Sequence, residues 1–212
     1  MNPLKVYHRI CNTMTFLPFL SKKVCLTFDD GHKYPDQILE KLEKYGERAT
    51  FFLCGEYIGA NLDIYRKIFD AGHEIGNHSY NHPDMTQLSE TEVRSQLVQT
   101  QQLIEKITGN SNTQKLFRFP YGKSDPSVVQ IVKESGFIPV SWTIDSRDWT
   151  GISAREICRN VQSHRKIRNG AIILMHTSGA HTSEALDLII PMLRKRKCEM
   201  VTVSELWSDV EV

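Results

Sequence analysis

Several acidic, basic and histidine side chains occur in short polar clusters, each placed directly after an apolar run. The clusters are Asp29-Asp30 after VCLTF, His78 to His82 (HSYNH) after HEIG, Arg118 to Gly122 (RFPYG) after KLF, Asp145 to Trp149 (DSRDW) after PVSWTI, and His176 after AIILM. In parallel α/β proteins the carboxyl ends of the strands meet on one face, where ligands bind. We therefore expect these clusters to form one shared site.

Two of the clusters carry residue types that bind metal ions. His78 and His82 are separated by three residues, a spacing at which two imidazoles can reach one ion. A carboxylate such as Asp30 would complete a set of two histidines and one aspartate, which leaves coordination positions open for water and substrate. Each part has a structural alternative, because adjacent aspartates can simply begin a loop and a histidine pair can lie on the surface. Taken jointly, the pattern favours metal binding.

The other clusters could supply the remaining groups of a metal-dependent hydrolase, which needs a base for water and an acid for the leaving group. His176 is a candidate acid, with a packed core histidine as the alternative. Asp145 could orient its imidazole and stabilise the charged form. Arg118 could be a surface cation, but its place at a strand end favours pairing with a carboxylate.

Strand-like and helix-like segments alternate from about residue 23 onward. The predicted strands cover residues 23–28, 49–54, 73–76, 116–119, 137–144, 171–175 and 199–203. The predicted helices include residues 62–70, 89–108 and 182–195, together with segments that begin near Pro35, Pro126 and Ser153. This alternation predicts parallel strands joined by right-handed crossovers, hence an α/β fold. Six or seven such units favour a TIM-like barrel over an open sheet.

Helix ends are marked by short capping signals in the sequence. Ser89 with Glu92, and Ser153 with Glu156, each have the spacing of a capping box. Gly46 follows the helix that begins near Pro35 and is placed to cap its carboxyl end. These signals indicate where three of the predicted helices begin or end.

Composition restricts the class of partner. The 212 residues fit a single domain, and hydrophobic and charged fractions of 40% and 24% are those of an ordinary globular protein. With 26 Lys and Arg against 25 Asp and Glu, the net charge of +1 provides no broad field for nucleic acid or an anionic membrane. Five scattered cysteines argue against a disulfide framework and against a cysteine zinc site. Uncharged sugars are compatible with this balance.

Residues 1–21 are expected to form an extension before the domain. Their apolar run is shorter than the roughly 7–15 residues of a secretory signal and the roughly 20 of a membrane span. We therefore expect neither element in this sequence, and the location of the protein is left open.

The clusters resemble, in the same order, the motifs of the polysaccharide deacetylases of carbohydrate esterase family 4, which share a NodB-type homology domain. The matching motifs are TFDDG at 27–31, HSYNH at 78–82, RFPYG at 118–122, DSRDW at 145–149 and ILMH at 173–176. The resemblance spans about residues 22–207 and implies a catalytic domain over 22–212. It also implies a single-domain, distorted (β/α)7-type barrel.

The resemblance implies a ligand set and a base. Asp30, His78 and His82 correspond to the ligands of one divalent ion, zinc first, with cobalt or another divalent ion as alternatives. Asp29 corresponds to the general base, and Arg118 to the residue that pairs with it and tunes it.

The resemblance also implies the groups that act on the substrate. His176 corresponds to the general acid, and Asp145 to the residue that sets its charge state. The backbone N–H of Tyr121 would stabilise the oxyanion. Trp149 and Leu174 correspond to the walls of the pocket that takes the acetyl methyl group.

The implied reaction is removal of N-acetyl groups from a polysaccharide that contains N-acetylglucosamine, either peptidoglycan or chitin-like oligomers, with release of acetate. The glycan is the implied partner; nucleic acid, a membrane span and a protein partner are not implied. The alternatives are an O-acetyl esterase acting on xylan, a catalytically silent carbohydrate-binding member, and an unrelated phosphoesterase. A phosphoesterase would generally need more carboxylate ligands. The motifs depart from the family pattern at His32, where proline is common, so that His32 could touch substrate or be a solvated loop residue.

Overall fold

The structure is a computed structural model that describes residues 22–109, 114–164 and 167–208. The predicted extension, residues 1–21, lies outside the described residues.

A curled parallel sheet positions every element of the site. Its strands are β1 (Lys22–Asp30), β2 (Thr50–Leu53), β3 (Glu74–Asn77), β4 (Leu116–Phe117), β5 (Ile138–Pro139), β6 (Ile144–Asp145), β7 (Ala171–His176) and β8 (Cys198–Met200). The order is β5-β4-β3-β2-β1-β7-β6, and the start of β1 also pairs with β8. All these pairings are parallel. The predicted α/β fold and distorted (β/α)7-type barrel are confirmed.

Helices surround the sheet and connect its strands. They are α1 (Pro35–Tyr45), α2 (Gly55–Ala60), α3 (Leu62–Asp70), α4 (Glu90–Thr108), α5 (Pro126–Glu134), α6 (Ala154–Ser163), α7 (Thr182–Lys195) and α8 (Val203–Ser208). The main core lies between these helices and the sheet. Parallel sheets are covered on both faces, which explains why their strands read as continuous apolar runs.

The central strand β1 shows how the two faces of the sheet differ. Side chains alternate along a strand, so Val24, Leu26 and Phe28 join the main core on the helix side. Cys25 faces the inside of the curled sheet and packs in a smaller apolar cluster. Farther along the same inner face come Thr27 and Asp29, both buried and polar. The interior is therefore apolar toward the amino ends of the strands and polar toward their carboxyl ends.

The predicted capping signals are present in the structure. Ser89 and Glu92 form a complete capping box at α4, and Ser153 and Glu156 form another at α6. Gly46 caps α1 with a φ of 63°, a left-handed conformation that suits glycine. Each N-cap of this type contributes about 0.5–2 kcal/mol to helix stability.

Two predicted strands differ from the observed ones by more than a shift of one or two residues at an end. Residues 137–144 form two short strands instead of one, because Ile138–Pro139 pairs with β4 whereas Ile144–Asp145 pairs with β7. The last strand ends at Met200, since Glu205 caps the following turn by accepting from the Thr202 N–H at 2.9 Å and a helix then begins at Val203. This helix and α2 were missed because both are short.

Candidate metal centre and active site

Three side chains at the carboxyl ends of β1 and β3 come together as a possible metal site. Asp30, His78 and His82 each offer one ligand atom, and these atoms lie within 4.8 Å of one another. Asp30 Oδ1 is 3.9 Å from His78 Nε2 and 3.8 Å from His82 Nε2. The fold therefore brings together the three residues that the sequence predicts as metal ligands.

His78 is held in the orientation that a metal ligand needs. It is buried, and its Nδ1 lies 2.9 Å from the carbonyl oxygen of Arg118. Because a carbonyl only accepts hydrogen bonds, Nδ1 carries the proton and Nε2 presents its lone pair toward Asp30. A metal-ligating histidine usually donates its other ring N–H to an acceptor in this way. The donor set, two imidazole nitrogens and one carboxylate oxygen, fits a divalent ion such as zinc.

His82 comes from a compact loop that follows β3. Ser79 and His82 both have positive φ, at 67° and 58°, so the chain doubles back within five residues of His78. The His82 N–H donates to Ser79 Oγ at 3.1 Å, and the Ser79 N–H donates to Asn77 Oδ1 at 2.9 Å. The ring of His82 contacts the ring of Tyr121, with centroids 4.5 Å apart. These contacts bring both imidazoles to one side of Asp30.

The protonation states of the triad suit metal binding. Burial would raise the pKa of Asp30, but the neighbouring histidines, first His78, outweigh it and lower that pKa. Burial lowers the pKa of His82, and His78 beside it acts in the same direction. A charged carboxylate and a neutral imidazole are the forms that bind metal ions.

Asp29 pairs with Arg118 and lies beside the metal triad. Arg118 Nη1 donates to Asp29 Oδ1 at 2.7 Å, as expected from the sequence. The other oxygen, Oδ2, lies 3.7 Å from His78 Nε2, so the carboxylate borders the metal triad. Both partners are buried, and losing one partner of a buried pair typically costs about 3–5 kcal/mol. The pair therefore fixes Asp29 beside the triad.

Arg118 is enclosed on all sides by the inner face of the sheet. Its guanidinium carbon lies 4.0 Å from the centre of the Phe52 ring and 5.8 Å from that of Trp142. Nη1 also donates to Thr27 Oγ1 at 2.8 Å. Arginine suits this place because its planar cation can stack on rings and still donate to a carboxylate. The alternative of a surface cation is excluded, since Arg118 is 0% exposed.

His176, at the end of β7, lies beside Asp29 in the strand register and pairs with Asp148. Asp29 and His176 are register partners on β1 and β7. His176 Nδ1 is 2.8 Å from Asp148 Oδ1. Burial opposes the charged imidazole, but the hydrogen bond to Asp148 and its charge outweigh that effect and raise the pKa of His176 to about 9. At neutral pH the ring therefore carries a proton that it can donate.

Asp148 is itself firmly held. Its Oδ2 accepts from the backbone N–H of His176 at 2.7 Å and from Thr182 Oγ1 at 2.6 Å. Gly179 lies against this contact, because a β-carbon there would be 2.2 Å from Thr182 Oγ1 and 2.9 Å from Asp148 Oδ2. A larger residue at position 179 would push the two side chains apart. Asp148 thus has partners for both oxygens before any substrate is present.

The structure corrects the expectation that Asp145 sets the state of His176. Asp145 Oδ1 instead accepts the backbone N–H of Arg147 at 2.8 Å, which begins the turn into residues 148–150. Asp145 is the register partner of Leu174, two residues before His176, whereas Asp148 lies in the turn beyond the strand end. The turn is what brings the second aspartate of the DSRDW motif, not the first, to the imidazole.

Other predicted residues lie around the rim. Tyr121 has a left-handed φ of 58° and is 64% exposed, and Trp149 is 61% exposed, so both present ring surface beside the site. Leu174 is buried and shares a face of β7 with His176, two residues along the strand. His32 stacks on Tyr57 with ring centroids 4.6 Å apart, and its Nδ1 is 3.9 Å from Asp30 Oδ2.

Sequence reasoning missed three residues that contact the site. Asp148 stands in the DSRDW motif, but spacing alone did not distinguish it from Asp145. Thr182 donates to Asp148, and Ser178 Oγ donates to Asp30 Oδ2 at 3.1 Å. The hydroxyl residues after His176 carry no pattern that separates them from ordinary turn residues. Their roles depend on the fold.

Comparison with known proteins gives a consistent family signal. The sequence profile of the polysaccharide deacetylase family matches residues 18–140. A peptidoglycan-N-acetylglucosamine deacetylase from Bacillus cereus is 36% identical over 196 residues, covering 90% of this chain and 70% of the relative. The chain spans between 40% and 70% of the length of the first three curated relatives.

Solved structures resemble the fold closely. The Bc1960 peptidoglycan N-acetylglucosamine deacetylase has a TM-score of 0.83 and 34% sequence identity, with 89% of each chain covered. BA3943 from Bacillus anthracis, described as a family pseudoenzyme, has a TM-score of 0.80 and 38% identity, covering 88% of this chain and 65% of that one. Among the described residues, the helices are all too short or too polar to cross a bilayer.

Proposed function

Since the chain belongs to the polysaccharide deacetylase family, we propose that it is a metal-dependent hydrolase that removes N-acetyl groups from glycans containing N-acetylglucosamine. Polysaccharide deacetylases are hydrolases of the amide C–N bond. Because similar proteins are named peptidoglycan deacetylases, peptidoglycan is the first candidate substrate and chitin-like oligomers are the second. The products would be acetate and a free amino sugar. The Asp30–His78–His82 triad beside two charged pairs, Asp29–Arg118 and His176–Asp148, carries the proposal.

Asp30, His78 and His82 would hold one divalent ion, for which zinc is the first candidate because two imidazoles and a carboxylate are typical zinc ligands. When bound, such an ion polarises the acetyl carbonyl and makes water more acidic.

Asp29 is the group that would take the proton from the attacking water. Its Oδ1 is occupied by Arg118, and its Oδ2 faces the triad at 3.7 Å from His78 Nε2. The pairing with Arg118 keeps the carboxylate in one orientation, as a positioned general base requires. Arg118 is therefore a positioning residue, which acts through Asp29.

His176 is the group that would protonate the leaving amine. Its ring is protonated at neutral pH because Asp148 raises its pKa, and its Nδ1 is occupied by that aspartate. The proton on Nε2 is the one available to the amine nitrogen as the C–N bond breaks. The base and the acid thus sit on adjacent strands, β1 and β7, at the same register position.

The remaining rim residues would bind the acetyl group and the sugar. We assign the backbone N–H of Tyr121 to the developing oxyanion, a role in which one donor is typically worth about 2.7–4 kcal/mol. Trp149 and Leu174 would enclose the acetyl methyl group. The exposed rings of Tyr121 and Trp149 suit contact with a sugar face, because each offers a broad apolar surface together with a polar group.

A pseudoenzyme among the similar structures means that family membership alone does not establish turnover. The presence of base, acid and all three ligand residues in this chain supports activity rather than silent binding. An O-acetyl esterase would use the same groups, and only substrate assays separate the two.

The decisive experiment measures acetate released from N-acetylglucosamine oligomers, peptidoglycan and acetylxylan. Stripping the metal should abolish release, and adding Zn²⁺ or Co²⁺ should restore it. Full activity in excess chelator, with metal absence confirmed by elemental analysis, would contradict the metal mechanism.

Two substitutions at neighbouring positions separate binding from chemistry in the same assay. Asp30→Ala should lose both metal and turnover. Asp29→Asn should keep the metal and lose about 10²–10⁴-fold in turnover, the usual contribution of a positioned base. Near wild-type rates in Asp29→Asn would show that Asp29 is not the base.

A further inference from the structure

The turn that follows β7 is fastened to the segment that carries Asp30. The N–H of Thr177 donates to the carbonyl oxygen of Asp29 at 3.1 Å, and the N–H of Gly31 donates to Thr177 Oγ1 at 2.9 Å. Thr177 Oγ1 also donates to the Asp29 carbonyl oxygen at 3.2 Å, and Thr177 is fully buried. The turn is therefore hydrogen-bonded to the backbone on both sides of Asp30.

Asp30 needs such support because of its backbone conformation. Its φ is 76°, in the left-handed region that residues with a β-carbon seldom adopt without surrounding constraints. Gly31 follows with a φ of 105°, and its carbonyl oxygen accepts from Tyr65 Oη at 2.7 Å. This conformation directs the Asp30 side chain back toward His78 and His82.

The two oxygens of the Asp30 carboxylate have different neighbours. Oδ1 faces the two imidazole Nε2 atoms at 3.9 and 3.8 Å. Oδ2 accepts a hydrogen bond from Ser178 Oγ at 3.1 Å. The carboxylate is therefore divided, with one oxygen toward the histidines and the other toward the β7–α7 turn.

We propose that Ser178 is a positioning residue of the metal centre, which holds Asp30 as a ligand through Oδ1 alone. This inference rests on the proposed function, because it concerns the ion that the triad would bind. Carboxylates bind ions through one or two oxygens. With Oδ2 retained by Ser178, Asp30 would offer only Oδ1 to an ion, which would leave room for water and substrate, as a catalytic site requires.

His32 also lies near Oδ2, but it does not hold this oxygen. Its Nδ1 is 3.9 Å away, beyond hydrogen-bond distance, and its ring is committed to the stack on Tyr57. His32 lies next to the same oxygen without bonding to it, which makes substitution at His32 a matched control for substitution at Ser178.

The test is calorimetric binding of Co²⁺ to the metal-stripped protein, with the visible spectrum of bound Co²⁺ as a second readout. Ser178→Ala should weaken Co²⁺ binding by about 10–100-fold, the usual effect of losing a partner behind a metal ligand. Its Co²⁺ bands should also change in intensity, because they weaken as the coordination number rises and Asp30 is then free to bind through both oxygens. Ser178→Thr, which keeps the hydroxyl, should restore affinity and spectrum.

Two control variants leave Asp30 Oδ2 in its hydrogen bond. His32→Ala should bind Co²⁺ as the wild type does. Ser183→Ala removes the same hydroxyl five positions farther on, where it donates to the Gln37 carbonyl oxygen, and should also bind normally. Thermal unfolding of the metal-stripped variants establishes that each is folded, and Ser178→Val, which matches Ser178→Thr in shape but lacks the hydroxyl, replaces Ser178→Ala if that variant does not fold.

The outcomes separate this inference from the proposed function. Wild-type affinity and spectrum in Ser178→Ala, with Co²⁺ bound normally by the wild type, overturn the role of Ser178 and leave the metal centre intact. Failure of the wild type to bind Co²⁺ or Zn²⁺ overturns the proposed metal centre and this role together. Equal weakening in His32→Ala and Ser178→Ala also overturns the role, since it would mean that the bond to Ser178 is not what matters.

Discussion

A histidine lies at each end of the sheet, buried at His73 and partly buried at His176, and the two histidines behave in opposite ways. His176, at the carboxyl end of β7, has Asp148 2.8 Å from Nδ1, and its pKa is raised to about 9. His73, just before β3 at the amino end, has its pKa lowered to about 4, chiefly by burial and further by Arg48. Burial disfavours the charged ring at both places, so the aspartate makes the difference.

The surroundings of His73 explain its neutral state. Its Nδ1 accepts the backbone N–H of Ala49 at 3.2 Å, and its ring lies edge-on to Phe51 at 5.5 Å between centroids. Among the described residues, no hydrogen-bond partner is found for its buried Nε2. His73 therefore serves as a packed core side chain, whereas Asp148 keeps His176 charged, as the proposed proton donor requires.

The largest effect is expected from removing the carboxylate at His176. Asp148→Asn should lower turnover by about 10²–10⁴-fold, because the proton donor is then neutral at working pH. Since activity needs the protonated ring, kcat/KM falls as pH rises through the pKa of His176. Losing Asp148 lowers that pKa, so the alkaline limb of the profile should move to lower pH.

The measurement is kcat/KM against pH for acetate release by the wild type and Asp148→Asn. An unchanged alkaline limb in the variant would show that Asp148 does not control the acid.

A smaller effect is expected at the amino end. His73 is neutral in the folded state, while in the unfolded chain it gains a proton near pH 6.5. As the pH falls from 6.5 toward 4, His73 is therefore protonated in the unfolded state before it is protonated in the folded state. The free energy of unfolding that His73 contributes above pH 6.5 is lost across that window. From pH 7 to 5 the loss from His73 alone is about 2 kcal/mol.

His73→Gln should remove the part of the stability loss between pH 7 and pH 5 that comes from His73. Urea unfolding at the two pH values measures this loss as a change in the free energy of unfolding. His181→Gln, the same change at a histidine whose side chain is 43% exposed, serves as the control and should keep the wild-type loss. Identical pH dependence in His73→Gln and the wild type would contradict a buried neutral imidazole.

The smallest effect is expected from the aspartate that does not reach His176. Asparagine keeps an Oδ1 that can accept the Arg147 N–H, so Asp145→Asn should preserve the turn. We expect turnover within about threefold of the wild type and a stability change within roughly 0.5 kcal/mol, as for substitutions away from buried networks. A loss as large as that of Asp148→Asn, in acetate release at pH 7, would restore Asp145 to the acid pair.

Much of the fold and the metal triad could be predicted because the relevant signals are local. Apolar runs followed by polar clusters located the carboxyl ends of β1, β3, β4, β6 and β7, and two histidines separated by three residues, taken with Asp30, predicted the triad. The predicted strand over residues 137–144 was wrong because apolar character does not reveal which neighbour a residue pairs with. Val140 bonds toward β4 through the Phe117 carbonyl oxygen, whereas Thr143 bonds toward β7 through that of Ile172.

The acid pair and the support for Asp30 could not be predicted for a related reason. Asp145 and Asp148 are the same residue type in the same motif, and only the left-handed turn at Arg147, with a φ of 59°, decides which carboxylate meets His176. Ser178 reaches Asp30 across 148 positions of sequence, a separation over which no spacing rule applies.

The pairing of β1 with β7 has a consequence for how the protein is made. Thr27 bonds to Ile173 across 146 residues, and the same pair of strands places Asp29 beside His176. Contacts of such sequence separation form late and slowly, because a long loop must close before they gain any stability. During synthesis, Asp29 and the Asp30–His78–His82 triad leave the ribosome long before His176 does. The proposed reaction centre can therefore assemble only when nearly the whole described domain is available, so that shorter nascent chains would lack it.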